Sequence, residues 1–209
     1  MTLPPTFYKS HAYPPPEKVT GPVNIVDIYL DYACPFSAKL FINWYENLYP
    51  KLTTEYENQV QFVFRNYIQP WHPTSNLLHE AALAVAQLQP DWFLEASYQL
   101  MKNITQFYDS ETFGLTRHQI YDKIYDVCIG PNNSQITKED FIEKLYIKKT
   151  DKPSNSGNAV TNDVKVFTRI GRQNGVHVTP TILINGYKDG SIESSTPIAD
   201  IDVKLRALF

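Results

Sequence analysis

The chain has 209 residues, of which 43% are apolar, and a formal net charge of −3. This composition suits one α/β domain carrying an insertion, or two closely joined lobes. The weak negative charge and the lack of a dense Lys/Arg run in the sequence argue against binding to nucleic acid or to an anionic membrane.

The first part of the chain is rich in proline and unlike an export signal. Residues 1–21 include Pro4, Pro5 and the run Pro14-Pro15-Pro16, which argue against a regular helix and predict an extended arm on the domain or a mobile tail. The sequence has neither a secretory apolar stretch near its start nor the roughly 18 apolar residues of a membrane span. Its two cysteines do not form a disulfide framework. We therefore expect a cytoplasmic protein.

The next segment predicts a strand followed directly by a helix. Residues 23–31 are rich in β-branched and aromatic side chains, and apolar residues recur at helical spacing over 35–49. Cys34 lies between the two elements and is therefore expected at the N-terminus of the helix. Pro35 suits the first turn of that helix, where its missing N–H costs nothing.

This position predicts an activated thiol at Cys34. The unpaired amides and positive dipole end of a helix favour a thiolate over a thiol by up to about 2 kcal/mol. Ser37 lies one turn further on, within reach of a hydrogen bond from its hydroxyl to the sulfur. The alternative interpretation is that Cys34 is a small buried apolar residue without chemistry.

A second strand and a helical insertion follow. Residues 60–67 predict a strand parallel to the first, joined to it by a right-handed βαβ crossover. His72 comes just after this strand, and loops on this side of such a sheet tend to line a site, although an ordinary loop histidine is the alternative. Apolar periodicity and capping patterns beginning at Thr116 and Thr137 predict helices within residues 74–155.

The chain then returns to the sheet. A helix is predicted over 159–174, closed by a glycine, followed by a strand over 178–184 with Pro180 near its start, because proline cannot donate a ladder hydrogen bond. Asn185-Gly186 predicts a tight hairpin turn into a strand over 187–192. Ser195 or Thr196-Pro197 is expected to cap a final helix that runs through residue 208.

Two motifs far apart in the chain resemble the DsbA-like branch of the thioredoxin-fold proteins. They are Cys34-Pro35-Phe36-Ser37 at a strand-to-helix turn and Thr179-Pro180 before a strand. The resemblance implies an α/β thioredoxin-like core formed by residues 22–73 and 156–209, with a central helical insertion over 74–155. It also implies that Cys34 is the nucleophile, that the Thr179–Pro180 bond is cis, and that Pro35, Phe36, Thr179 and Pro180 contact the substrate.

The serine at position 37 departs from the dithiol members of that family. Their second cysteine resolves a mixed disulfide at high effective concentration, which Ser37 cannot do. An external thiol, for which glutathione is the expected co-substrate, would have to release Cys34, and no permanently bound cofactor is expected. Cys128 is the other thiol, but its apolar neighbours predict that it is buried.

The acidic residue near the motif is also displaced. Many thioredoxin-like proteins bury an acid six residues before the cysteine, where this chain has Ile28. Asp31 instead resembles the Asp that precedes the motif in polyketide-isomerase-like and kappa-class glutathione transferase relatives. It is predicted to disfavour the thiolate or to bind a substrate group, the alternative being an exposed or cap-forming Asp. The sequence has no zinc-ligand spacing and no phosphate-binding glycine loop.

Three functions are consistent with these residues. The leading hypothesis is a monothiol oxidoreductase in which Cys34 attacks, Ser37 assists and Thr179-Pro180 aligns a protein or small-molecule thiol substrate, together with His72 and Asp31. The second is a kappa-class-like transferase or isomerase that binds glutathione. The third is a redox-inactive thioredoxin-like scaffold with a binding cleft between core and insertion. The physiological substrate and oligomeric state are left open.

Overall fold

The computed structural model describes residues 3–132 and 134–209, so residues 1 and 2 of the N-terminal arm lie outside the described part. The described elements, in chain order, are α1 (Tyr8–His11), β1 (Ala12–Tyr13), β2 (Asn24–Leu30), α2 (Pro35–Asn47), β3 (Val60–Asn66), α3 (Ser75–Leu88), α4 (Phe93–Lys102), α5 (Asp109–Thr112), α6 (Arg117–Ile124), α7 (Lys138–Leu145), α8 (Thr161–Gln173), β4 (Thr181–Ile184), β5 (Tyr187–Asp189) and α9 (Ile198–Arg206). No helix in the described ranges is long and apolar enough to cross a membrane.

The strands form one mixed sheet in the order β1-β3-β2-β4-β5. β2 and β3 are parallel, which confirms the predicted βαβ unit, and β4 is antiparallel to β2. Tyr29 lies opposite Thr181 in that pairing. Because the chain leaves β2 and enters β4 at the same end of the sheet, the residues just after Leu30 and just before Thr181 are brought together.

Among the described residues, the five α-helices α3 to α7 lie within the segment predicted as a helical insertion. Thr116 forms a complete capping box with Gln119 at the start of α6, and the Thr137 hydroxyl accepts the Asp140 N–H at the start of α7. Both caps satisfy amides that the first helical turn leaves without a partner. The predicted α/β fold with helices in the middle of the chain is therefore confirmed.

The insertion shares one apolar core with the sheet. Phe64 of β3 packs edge-on against Phe93 of α4, with ring centroids 5.3 Å apart, and Phe41 of α2 packs against Phe64 at 5.2 Å. All three side chains are completely buried. Burial of side chains of this size contributes about 1.5–3 kcal/mol each, so the core ties α2 and the insertion to the same face of the sheet.

The N-terminal arm differs from its prediction. Residues 8–11 form the short helix α1, and β1 adds to the sheet edge by pairing with β3, so the expectation of no regular helix is wrong there. The prolines flank this helix, at positions 4–5 and 14–16, and do not interrupt it. The His11 ring stacks between Phe93 and Phe167, at centroid distances of 3.9 and 4.8 Å. The described arm is thus built into the core.

Element boundaries near the C-terminus also differ, and β5 and α9 end at residues 189 and 206, before the predicted ends at 192 and 208. β4 begins at Thr181, not at residue 178, because the Thr179 backbone groups bond to Gln69 and Cys34 instead of to a strand. The last helix has Pro197 at its N-cap position without a side-chain cap. The Thr196 hydroxyl, expected to cap it, accepts the Glu193 N–H at 2.8 Å.

Candidate active site

Cys34 occupies the N-cap position of α2. Its backbone is extended there, with φ −89° and ψ 118°, and its carbonyl accepts the Ala38 N–H at 3.0 Å. Pro35 is the first residue of the helix. The thiol is 3% exposed and its Sγ donates to the Thr179 carbonyl at 3.5 Å. The thiol therefore lies between the amide end of α2 and the loop that enters β4.

The hydroxyl of Ser37 forms a hydrogen bond to the backbone and not to the Cys34 sulfur. Its Oγ accepts the N–H of Asp31 at 3.3 Å, and no hydrogen bond joins it to Cys34 Sγ among the described residues. The expectation of a hydroxyl–sulfur hydrogen bond is therefore corrected. Asp31 N–H is buried just beyond the end of β2 and needs an acceptor, which the Ser37 hydroxyl supplies.

Asp31 is the most heavily hydrogen-bonded group of the site. It is completely buried, so the alternative of an exposed Asp is wrong. Its Oδ1 accepts the Ala33 N–H and the Ser75 hydroxyl, both at 2.8 Å. Its Oδ2 accepts the Gln69 N–H at 2.8 Å and lies 3.2 Å from His72 Nδ1. A buried carboxylate with four donors around it fixes the loops that supply them.

Gln69 closes this arrangement on the other side. Its side-chain Oε1 accepts the N–H of Thr179 at 2.9 Å, while its own N–H is held by Asp31. The Thr179 carbonyl in turn accepts the hydrogen bond from the Cys34 thiol. The buried Gln69 therefore joins the loop after β2, which carries Asp31, to the loop before β4, which carries Thr179. Neither Gln69 nor Ser75 carries a signal of this role in the sequence, because Gln69 reads as a loop residue between β3 and Pro70 and Ser75 as the polar first residue of α3.

Exposed apolar side chains lie next in sequence to the residues that hold the buried thiol. Phe36 is 62% exposed, Trp71 57% and Val178 51%, and each is a near neighbour in sequence of a residue that contacts the site. Pro35 is exposed and Pro180 half-buried, and the Thr179–Pro180 peptide bond is cis. Large exposed apolar residues around a reactive group are typical of a binding surface.

A cleft opens beside the thiol where the core meets the insertion. Its volume is about 480 Å³, and Ala33, Pro35 and the half-buried His72 line its core side. Residues from the insertion, Thr74, Phe107, Tyr108, Asp109 and Ser110, line the other side. The structure therefore brings the predicted residues at positions 31, 34, 35, 72 and 179 into one region, of which positions 35 and 72 line this cleft.

Cys128 and one further histidine of the loop before Pro180 lie away from this chemistry. Cys128 is completely buried, and burial raises the pKa of its thiol to about 12. A thiol of this kind is inert toward disulfides at neutral pH. His177 is exposed, and no described contact joins it to Cys34. Among the described residues, no group of three or more His, Cys, Asp or Glu side chains is arranged to hold a metal ion.

Comparisons with known proteins agree with this geometry. Residues 21–199 match a family model described as Thioredoxin. No curated protein matches the sequence. A solved structure from Pseudomonas syringae, provisionally described as a protein-disulfide isomerase, is 24% identical, with a TM-score of 0.69 over 90% of this chain and 95% of that one. BdbD from Bacillus subtilis is 19% identical, with a TM-score of 0.60 over 88% and 86%.

A third solved structure extends the comparison. It is the thiol-disulfide oxidoreductase MdbA from Actinomyces oris, which is 15% identical, with a TM-score of 0.57 over 85% of this chain and 76% of that one. Sequence identities this low establish only a shared fold. Membership of the family is established by the family model, which spans most of the sequence. The resemblance carried by Cys34-Pro35-Phe36-Ser37 and Thr179-Pro180 is thus confirmed, and the chain belongs to the thioredoxin family.

Proposed function

We propose that this protein is a thiol-disulfide oxidoreductase that works through Cys34 alone and uses glutathione as its external thiol. The observation that carries the proposal is the position of the Cys34 sulfur, between the N-terminus of α2 and the Thr179 carbonyl. The printed description of MdbA as a thiol-disulfide oxidoreductase supports the same class of reaction.

The first step forms a mixed disulfide. Cys34 releases its proton to solvent, and the amide end of α2 stabilises the resulting thiolate. The thiolate attacks one sulfur of a substrate disulfide, so that a new S–S bond forms at Cys34 and the other half of the substrate leaves as a thiolate. The Thr179 carbonyl, which no longer accepts an S–H, is then free to accept an N–H from the bound substrate.

The second step requires a thiol from outside the protein. Ser37 has no sulfur, and Cys128 is buried with a raised pKa, so neither residue resolves the mixed disulfide. A glutathione thiolate attacks the mixed disulfide, joins the substrate half and regenerates the Cys34 thiolate. This step needs a pool of reduced glutathione, so the proposal includes a reducing, cytoplasmic location.

The surface around the thiol suits an extended substrate with apolar side chains. Phe36, Trp71 and Val178 offer exposed apolar area, and they lie within two positions in the chain of Cys34, His72 and Thr179, respectively. The Thr179 N–H is already bonded to Gln69, so the substrate backbone is expected to pair with the Thr179 carbonyl and not with its amide. This limits the strand-like pairing that the family resemblance implies to one hydrogen bond at this residue.

The test compares Cys34→Ser with Cys128→Ser in the glutathione-dependent reduction of a peptide–glutathione mixed disulfide. Cys34→Ser is expected to abolish turnover and the Cys34–glutathione adduct detected by mass spectrometry. Cys128→Ser removes the other thiol and is expected to retain both. Full activity in Cys34→Ser would contradict the proposal, and a wild-type protein with neither turnover nor adduct would favour the scaffold hypothesis.

A further inference from the structure

The ring of His72 is held at one nitrogen and open at the other. It lines the cleft beside the thiol and is 22% exposed, whereas Asp31 behind it is completely buried. The Nδ1 atom lies 3.2 Å from Asp31 Oδ2. The other ring nitrogen, Nε2, is neither hydrogen-bonded to a described residue nor buried. His72 therefore contacts a buried carboxylate with one nitrogen and presents the other to the cleft.

The contact with Asp31 decides which nitrogen of a neutral His72 carries the proton. Each Asp31 oxygen already accepts a backbone N–H, from Ala33 at Oδ1 and from Gln69 at Oδ2, both at 2.8 Å. Because both oxygens act as acceptors, the ring nitrogen that faces them must donate. The neutral ring then carries its proton on Nδ1, and Nε2 is an acceptor. A histidine oriented in this way by a carboxylate is the arrangement of a general base.

The same Asp31 residue fixes His72 close to the reacting thiol. Its Oδ1 accepts the N–H of the residue directly before Cys34, and its carbonyl accepts the Cys34 N–H at 3.1 Å. Ala33 and Pro35, the two chain neighbours of Cys34, line the cleft together with His72. A thiol that approaches Cys34 through this cleft therefore passes the open nitrogen of His72.

The second step of the proposed reaction benefits from such a base. Attack on a mixed disulfide requires a thiolate, and a free thiol with a pKa of about 8.5 is only about 3% ionised at pH 7. Asp31 is enclosed by its donors and has no exposed surface. The other titratable side chains that line the cleft are Tyr108 and Asp109. A phenol keeps its proton at neutral pH and a carboxylate is a weak base there, so neither takes a proton from a thiol.

We propose that His72 is the general base and general acid that carries the thiol proton through the reaction cycle, with Asp31 as its positioning residue. In the second step, Nε2 takes the proton of the incoming thiol, whose sulfur attacks the mixed disulfide and expels the Cys34 thiolate. In the next first step, the His72 imidazolium returns that proton to the substrate thiolate that leaves. One disulfide and one free thiol thus yield a new disulfide and a substrate thiol. The inference rests on the proposed function in that Cys34 forms a mixed disulfide.

The surroundings of His72 suit a positive charge that is present during only part of the cycle. The Asp31 carboxylate faces the ring from the loop after β2, and Asp109 of α5 lines the opposite side of the cleft. No Lys or Arg side chain is among the described residues that line the cleft. The two acidic groups stabilise an imidazolium, while the amide end of α2 favours the thiolate at Cys34. The ring and the sulfur can therefore carry opposite charges at the same time.

The test measures the second step by itself. Cys34 is loaded as a mixed disulfide with a short cysteine peptide, and its release by excess free cysteine is followed by quenched-flow mass spectrometry. At pH 7, where about 3% of free cysteine is ionised, release from His72→Ala should be slower than from the wild-type protein by at least about tenfold and at most about 30-fold. At about pH 9.5 most of the free cysteine is ionised, so the two rates should agree within about twofold.

His72→Ala retains the frame of the site. The Ala33 and Gln69 N–H groups and the Ser75 hydroxyl still bond to Asp31 in this variant. The removed ring lines an open cleft, so imidazole added to the solution has access to the vacated position. Imidazole should therefore restore part of the release rate of His72→Ala at pH 7, which it would not do for a residue with a purely structural role.

The exposed His118 provides the matched control, since His118→Ala should release the peptide at wild-type rates at both pH values. A folded His72→Ala protein with a wild-type rate at pH 7 would overturn the inference. So would an equal slowing at both pH values without rescue by imidazole. A mixed disulfide that cysteine releases but glutathione does not would contradict the proposed function alone, whereas a Cys34 that forms no mixed disulfide would contradict both.

Discussion

Replacing Asp31 by Asn tests whether the carboxylate holds the site together. The substitution conserves shape but exchanges one acceptor oxygen for an NH₂ group. Whichever way the amide is oriented, one backbone N–H then faces its NH₂ group, because the Ser75 hydroxyl and the His72 ring can also act as acceptors. In the orientation that keeps the Ala33 N–H and the Ser75 hydroxyl paired, the group that loses its acceptor is the Gln69 N–H, while His72 Nδ1 can accept from the new NH₂ group in its other tautomer.

The expected cost follows from the burial of those groups. Gln69 is 2% exposed, so its N–H has no route to water, and an unpaired buried donor costs about 1–3 kcal/mol. His72 is partly exposed and can turn to solvent, so it adds less. With the lost charge-assisted bonds, the free energy of unfolding should fall by about 3 kcal/mol. For a chain of this size, that lowers Tm by roughly 6–12 °C.

Urea unfolding and thermal melting of Asp31→Asn measure this directly. Asp151→Asn is the matched control, because Asp151 is an exposed loop residue, and its substitution should change stability by less than about 0.5 kcal/mol. The rate of Cys34 alkylation should change only in Asp31→Asn, since that variant loosens Gln69 and with it the Thr179 loop. A loss of under about 1 kcal/mol in Asp31→Asn would refute the reasoning, because it would mean that the four donors find other acceptors.

Three further outcomes are expected. Burial lowers the pKa of His11 to about 3 and of His79 to about 4, from the ordinary value of 6.5, so the unfolded chain binds protons that the folded state excludes. The free energy of unfolding should therefore fall as the pH drops from about 6.5 to about 4, by about 1.4 kcal/mol per pH unit for each histidine. In His11→Phe, urea unfolding at a series of pH values should show a smaller dependence of this free energy on pH, because only His79 still contributes. The same pH dependence of the unfolding free energy in His11→Phe and the wild-type protein would contradict this prediction. Burial raises the pKa of Cys128 to about 12. Iodoacetamide at neutral pH should therefore label Cys34 in the folded protein and Cys128 only after unfolding, which peptide masses measure. Similar labelling rates for the two cysteines in the folded protein would be inconsistent with the burial of Cys128. Ser37→Cys places a second thiol one helical turn from Cys34, where it can attack the mixed disulfide. The lifetime of the mixed disulfide, followed by quenched-flow mass spectrometry, should fall at least about tenfold. An unchanged lifetime would contradict this prediction.

Local patterns in the sequence predicted most of the elements and the position of Cys34. Apolar periodicity placed the helix that starts at Pro35, the parallel strand over residues 60–66 and the helices of the insertion, because periodicity and capping act over a few neighbouring residues. The same local rules placed Cys34 at the first position of α2. They were wrong for the helix at residues 8–11, where flanking prolines masked a short turn that tertiary packing stabilises.

The partners of the buried polar groups were decided only by the tertiary structure. Asp31 and Gln69 are far apart in sequence from Thr179, and His11 is far from Asn66, so no local pattern relates them. Once the apolar core excludes water, each buried donor or acceptor must find a partner among whatever side chains the fold brings near. Asp31 at the strand end and His79 on α3 are therefore ordinary polar residues in the sequence, and become neighbours because β2, β3 and α3 pack around one dry interior.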